Sequence, residues 1–108
     1  RLGLFGVVRK SDVDGEMENV PTQFSLAQNF PNPFNPTTNF EYRIANVEWV
    51  TLKIFDVLGR EVATLVNEER QPGIYRVTWD ASRLPSGVYF YRLRAGDFVD
   101  TKKMMIAK

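Results

Sequence analysis

Apolar and polar residues alternate along most of the chain that follows Phe24. The alternation is clearest over residues 40–44, 50–54, 74–79 and 89–94, and residues 98–106 form another extended run. A period of two sends successive side chains to opposite faces of a β-strand, so these runs predict strands with one buried face each. No stretch keeps helical spacing for three turns. The least clear segment is 60–69, where Val62, Thr64 and Val66 favour a strand over a helix.

Turn-forming residues separate the predicted strands. They are Asn32-Pro33, Asn35-Pro36, Leu58-Gly59, Gln71-Pro72-Gly73, Pro85-Ser86-Gly87 and Gly96-Asp97. The last pair predicts a two-residue hairpin loop, because glycine adopts a positive φ without a Cβ clash. Short strands with regular turns and one aromatic-rich face each predict an all-β fold, an antiparallel β-sandwich of about seven strands.

The chain divides into three parts. Residues 1–10 contain a short apolar run that predicts either the tail of an upstream domain or an added N-terminal strand. Residues 11–23 carry four acids and no base, which predicts an exposed acidic linker, and residues 24–108 form the predicted sandwich. Asp12 and Asp14 also resemble the start of a calcium loop, but the distal acidic ligands are missing. Because the sequence starts at Arg1 without a Met, we expect it to be the tail of a longer protein.

The composition excludes several classes of function. The 108 residues contain no His and no Cys. This rules out the usual zinc, haem and thiol sites and the Ser-His and Cys-His nucleophile pairs, so we expect neither an enzyme nor a cofactor. With 14 Lys+Arg against 13 Asp+Glu, the net charge of +1 gives no general attraction to nucleic acid. No apolar run approaches the ~20 residues of a membrane span, so we do not expect membrane insertion.

Two tryptophans are candidates for stacking on sugars. Trp79 shares a face with Tyr75 and Val77, which favours packing in the core, while Trp49 stands near a strand start and is expected to be partly exposed.

The predicted last strand is basic, with Lys102, Lys103 and Lys108. We place it at or near a sheet edge, with the lysines as exposed charges. Edge strands carry free N–H and C=O groups that a receptor can pair with, so this strand is a candidate recognition element.

Residues 30–38 form a segment that we call the Pro-rich strip. Three prolines prevent a helix here and remove three backbone donors, while Phe30 and Phe34 offer two aromatic anchors. Two interpretations stay open at this point: an ordered loop clamped onto the sandwich, or a pre-shaped recognition strip, since rigid extended segments lose little entropy on binding.

The Pro-rich strip resembles the opening of the type A C-terminal sorting domain of the type IX (Por) secretion system. Further resemblances follow in the family's order at 50–62, at 73–75 with 79–80, at 84–93 and at 102–108. The resemblance covers residues 24–108, and it implies an immunoglobulin-like fold similar to that of the flagellar hook-capping domain.

The resemblance also implies a non-catalytic secretion signal. Such a domain directs a covalently linked upstream cargo from the periplasm across the outer membrane of a Gram-negative bacterium. Its implied partners are the type IX machinery and a surface sortase that removes the domain, with the linker as the expected cutting point, and the cargo ends up secreted or on the cell surface. The candidate recognition residues are Phe30, Pro31, Asn32, Pro33, Phe34, Asn35, Pro36, Gly87, Tyr89, Lys102, Lys103 and Lys108. The alternatives are an immunoglobulin-like structural or adhesion module retained in a surface protein and, third, a carbohydrate-binding module.

Overall fold

The computed structural model describes residues 20–108 of the chain. This range contains seven β-strands and no helix, and hence no helix able to cross a membrane. The strands are β1 Ser25–Leu26, β2 Thr37–Ile44, β3 Glu48–Phe55, β4 Glu61–Arg70, β5 Gly73–Asp80, β6 Gly87–Ala95 and β7 Phe98–Ile106. The all-β prediction is confirmed, including the strand form of 60–69. The predicted strand at 1–10 and the calcium candidates Asp12 and Asp14 lie outside the described residues.

The strands form two antiparallel sheets. One has the order β1-β2-β5, and the other has the order β4-β3-β6-β7. A constant-type immunoglobulin domain places strands one, two, five and four in one sheet and strands three, six and seven in the other. Here β4 pairs with β3 instead of β5. The described range is therefore an immunoglobulin-like sandwich in which the fourth strand has moved to the opposite sheet.

The core lies between the two sheets and follows the alternation of the sequence. In β2 and β3 every second side chain is buried, as the pattern predicted. We call the buried side of each sheet its inner face and the opposite side its outer face. The largest side chains of the core are Phe40, Tyr42 and Tyr91. The rings of Phe40 and Tyr91 meet edge to face with centroids 4.7 Å apart, which joins the two sheets at the centre.

The loop between β6 and β7 confirms the predicted two-residue hairpin. Ala95 pairs with Phe98 across it, and Gly96 has a φ of 59°. A Cβ at Gly96 would lie 2.7 Å from the Glu48 carboxyl group, so both the backbone angle and the space favour glycine.

The two tryptophans lie on different faces, as expected. Trp79 is on the inner face of β5, where its ring packs 6.2 Å from that of Phe34 and 6.4 Å from that of Phe40. It is only partly buried, because β5 is an edge strand of the smaller sheet. Trp49 is 59% exposed on the outer face of β3, and its Nε1 donates a hydrogen bond to Asn67 Oδ1 at 2.9 Å.

Candidate recognition site

The Pro-rich strip runs along the outer edge of β7 and pairs with it. The Phe34 N–H donates to the Met105 carbonyl at 3.1 Å, and the Ala107 N–H donates to the Phe34 carbonyl at 3.0 Å. Asn32 Oδ1 accepts a further hydrogen bond from the Met105 N–H at 3.0 Å. Beside the strip, Gln28 Nε2 donates to the Lys103 carbonyl at 2.8 Å. The predicted edge position of the last strand is confirmed, but its C-terminal half is already occupied by the chain itself.

The opposite side of the strip is bonded to the smaller sheet. Phe30 and Asn39 exchange two backbone hydrogen bonds of 3.0 and 2.9 Å. At the far end of the strip, the Ala81 N–H donates to the Pro36 carbonyl at 2.8 Å. The strip therefore bridges β2 of one sheet and β7 of the other. It closes one side of the sandwich, where both sheets would otherwise present free edges.

The two phenylalanines of the strip have opposite roles. Phe34 is 2% exposed and packs against Trp79, so it anchors the strip in the core. Phe30 is 77% exposed, which makes it the most exposed of the large apolar side chains in the described residues. Only one of the two predicted anchors therefore anchors the strip, and the other presents an aromatic ring to solvent.

A buried polar network fixes the start of the strip. The Tyr91 hydroxyl donates to the Ala27 carbonyl at 2.9 Å and accepts from the Asn29 N–H at 2.8 Å. Asn29 Nδ2 in turn donates to Thr38 Oγ1 at 3.0 Å, and Thr38 Oγ1 donates to the Pro31 carbonyl at 2.8 Å. Burial raises the pKa of Tyr91 to about 12, so the hydroxyl remains a donor at neutral pH.

The C-terminus is tied to the loop before β6. The Lys108 N–H donates to Ser86 Oγ at 3.0 Å, and Lys108 Nζ donates to the carbonyls of Ser82, at 2.7 Å, and Leu84. In the same loop, the Tyr89 hydroxyl donates to the Pro85 carbonyl at 2.9 Å. The last residue is thus held in place by its own side chain. Lys108 is exposed as expected, but it follows the last strand, which ends at Ile106, and its ammonium group is hydrogen-bonded to this loop.

Gly87 begins β6 directly after this loop. It has a φ of 149°, a conformation that favours glycine, and it pairs with Ile106. Ile106 also forms the bridge to Phe34. Gly87 and Tyr89 are therefore brought to the same end of the sandwich as the strip and the C-terminus.

The remaining two lysines lie on opposite faces of the larger sheet. Lys102 pairs with Tyr91 and so belongs to the inner face, where its Nζ lies 3.8 Å from Asp100 Oδ2. Lys103 pairs with Phe90 on the outer face and is exposed. The two lysines do not form one basic patch, because neighbouring residues of a strand point in opposite directions. Lys103 does border a shallow groove with Asn32, Pro33 and Met105 beside the strip.

The site contains residues that the sequence analysis did not single out. Asn29 and Thr38 are the two buried polar residues of the described range, and Tyr91 joins them across the sandwich. Their role depends on contacts between residues far apart in the chain. The period-two pattern identified Tyr91 as a core residue, but it gave no sign of what its hydroxyl bonds to.

The arrangement can present a fixed, partly apolar surface for protein recognition. It offers an exposed ring at Phe30, exposed prolines, the 43% exposed Met105 and the cation of Lys103, all on backbone held at both sides. A surface that is ordered before binding loses little entropy when it binds.

Comparison with known protein families identifies the family of this chain. Residues 28–107 match the family model described as "Secretion system C-terminal sorting domain". No curated protein matches the chain. The matched range begins at Gln28, beside the strip, and ends at Ala107, which pairs with Phe34. Because the match spans well over half of the chain, this protein belongs to the family of secretion system C-terminal sorting domains, the signals that direct proteins into type IX secretion.

Proposed function

We propose that the type IX machinery recognises the surface formed by the Pro-rich strip and the β7 edge to which it is bonded. The observation that supports this most directly is the double attachment of the strip, which presents Phe30 at 77% exposure on backbone bonded to both sheets. A loop with no role beyond closing the sandwich would gain by burying this ring, since burial of a phenylalanine stabilises by about 1.5–3 kcal/mol.

The domain acts as a folded, non-catalytic tag for a cargo linked upstream. Its recognition surface is built entirely from residues after Gln28, so it does not depend on which cargo precedes it. We place the cargo before the linker at residues 11–23, and we propose that a surface sortase of a Gram-negative host cuts within this linker. The cargo then remains on the cell surface or is released.

Phe30→Ala tests the proposed surface, and Trp49→Ala is the matched control. Both substitutions remove a strongly exposed aromatic side chain, 77% and 59% exposed respectively, one from the strip and the other from the outer face of β3. Each variant is fused behind a periplasmic reporter in a bacterium with an active type IX system, and exported and periplasmic reporter are quantified. We expect Phe30→Ala to accumulate in the periplasm as folded precursor and Trp49→Ala to be exported like the parent.

Two results would contradict the proposed surface. Parental export of Phe30→Ala would place recognition elsewhere, and equal loss in both variants would indicate a general effect of surface aromatics. The cut by a sortase is tested separately by the mass of the mature surface protein. A mass that includes residues 24–108 would favour a retained module over a removed tag.

A further inference from the structure

The outer face of the larger sheet carries cations on three adjacent strands. Lys53 lies on β3, Arg92 and Arg94 on β6, and Lys103 on β7. We call these four side chains the basic face. Lys53 and Arg92 are directly opposite in the register of β3 and β6. Like charges in this position destabilise a sheet, so their presence suggests a use outside folding.

Acidic neighbours compensate little of this charge. The outer positions of β6 and β7 are Val88, Phe90, Arg92, Arg94, Val99, Thr101, Lys103 and Met105, with no acid among them. Lys53 Nζ lies 3.3 Å from Glu61 Oε1, and the guanidinium of Arg92 stacks 4.6 Å from the centre of the Phe55 ring. Within residues 20–108, no salt bridge forms at Arg92, Arg94 or Lys103. Three cations therefore remain for an anionic partner.

The chain itself contains a matching acidic segment. Asp12, Asp14, Glu16 and Glu18 occur at every second position, and no base occurs in residues 11–23. An extended chain places residues i and i+2 on the same side, about 6.5–7 Å apart. Arg92 and Arg94 have the same spacing along β6. In an extended conformation, two successive acidic side chains of the segment can therefore lie opposite the two successive guanidinium groups of Arg92 and Arg94.

The chain joins the sandwich beside the edge of β7, the strand that borders the basic face, where Phe98 lies on the inner face and Val99 on the outer face. The ring of Phe24 stacks on that of Phe98 with centroids 5.7 Å apart, and the next residue, Val99, pairs with Arg94. The nine residues from Asp12 to Val20 are separated by eight Cα–Cα steps and can span about 26–29 Å when extended. The nine residues of β7 are of similar length at about 3.4 Å per residue. The acidic segment can thus reach every cation of the basic face.

We infer that residues 11–18 dock on the basic face of the same molecule. This segment is the occupant because its charge is complementary and because a short tether gives it an effective concentration in the millimolar range. Docking holds the linker against the sandwich.

A nitroxide spin label on the full chain tests this contact without any export assay. The sequence has no cysteine, so Ser11→Cys gives a single labelling site next to the acidic segment and leaves its charges intact. Nuclear magnetic resonance then measures the broadening of each amide signal. We expect broadening at Thr101, Lys103 and Met105, and its loss when salt is raised from 0.1 to 1 M, which shortens the Debye length from about 10 to about 3 Å.

Charge variants in the labelled chain identify the partners. Arg94→Gln/Lys103→Gln removes two exposed cations of the basic face, and Arg43→Gln/Arg76→Gln is the matched control on the smaller sheet. We expect the first pair to abolish the broadening and the control pair to keep it. Exchanging the four acids of the segment for Asn and Gln must also abolish it.

Three results would overturn the inference. The first is broadening confined to the neighbours of Val20, and the second is broadening that neither salt nor the Arg94→Gln/Lys103→Gln pair changes. The third is broadening that persists when the spin label and the isotope are on different molecules. The last result would indicate contact between two copies of the chain. None of these results affects the export signal itself, so failure here and failure of the proposed function are distinguishable.

Discussion

The hydroxyl of Tyr91 is the most informative single group to remove, because it holds the start of the strip to the core. Tyr91→Phe deletes one oxygen and changes nothing else. It removes the hydrogen bond to the Ala27 carbonyl and the one from the Asn29 N–H. Ala27 is exposed, so its carbonyl regains water, whereas Asn29 is 2% exposed and its N–H is left without a partner.

The size of the effect follows from these two losses. A buried donor without a partner costs about 1–3 kcal/mol, and an ordinary hydrogen bond contributes about 1 kcal/mol net. We therefore expect Tyr91→Phe to lower the free energy of unfolding by about 2–4 kcal/mol, out of the 5–15 kcal/mol typical of a domain. With a urea slope of about 1–3 kcal/mol per molar, the midpoint falls by about 0.7–4 M. Trp79 fluorescence follows the transition, since this ring packs on Phe34.

Tyr42→Phe is the matched control. The Tyr42 hydroxyl is buried as well, but it makes no hydrogen bond within the described residues. Burial raises the pKa of Tyr42, and the nearby Arg70 guanidinium opposes that rise without reaching hydrogen-bond geometry. Removing this hydroxyl should leave the midpoint unchanged or raise it. If both variants shift the midpoint equally, the network around Asn29 does not hold the strip, and the argument for an ordered recognition surface fails.

Three further predictions concern the same end of the sandwich. The pKa of Tyr91 is raised from 10.0 to about 12 in the folded protein, so above pH 10 the unfolded chain loses this proton first and the free energy of unfolding should fall between pH 10 and pH 12. In urea unfolding, Tyr91→Phe should show a smaller fall over the same pH range. Phe34→Ala should cost about 3–5 kcal/mol of unfolding free energy as a buried aromatic, whereas Phe30→Ala should cost less than about 0.5 kcal/mol, and equal urea midpoints would refute the assignment of anchor and exposed ring. Lys108→Ala removes the hydrogen bonds to the carbonyls of Ser82 and Leu84, so amide hydrogen exchange should become faster at Leu84 but not at Leu93 in the core. Unchanged exchange at Leu84 would mean that the lysine does not hold this loop.

The strands were predictable because they obey a local rule. Alternation identifies β2, β3 and β6, since nearly all of their inner positions are apolar and most of their charged side chains lie on the outer face. The same rule, carried to the end of the chain, puts Lys102 on one face with Met104 and Ile106 and puts Lys103 on the other. Strand parity, and not charge composition, therefore decides which face of the sheet each lysine belongs to.

The tertiary arrangement could not be predicted in the same way. Either sheet could accept β4, because both offer an edge strand and the local pattern is the same. The burial of Asn29 arises from a contact with Tyr91, 62 residues later, and nothing beside Asn29 in the sequence signals it. The pairing of Phe34 with Ile106 is likewise a long-range contact. The strip was recognisable as stiff, but the edge it occupies depends on the whole fold.

The central claim is that the folded sandwich is itself the export signal. The most direct test fuses residues 24–108 behind a periplasmic fluorescent reporter and compares surface and medium fluorescence in a type IX-competent host and in a matched strain without the machinery. We expect the reporter outside the cell in the first strain and inside the periplasm in the second. A folded, intact fusion that stays periplasmic in both strains would contradict the claim.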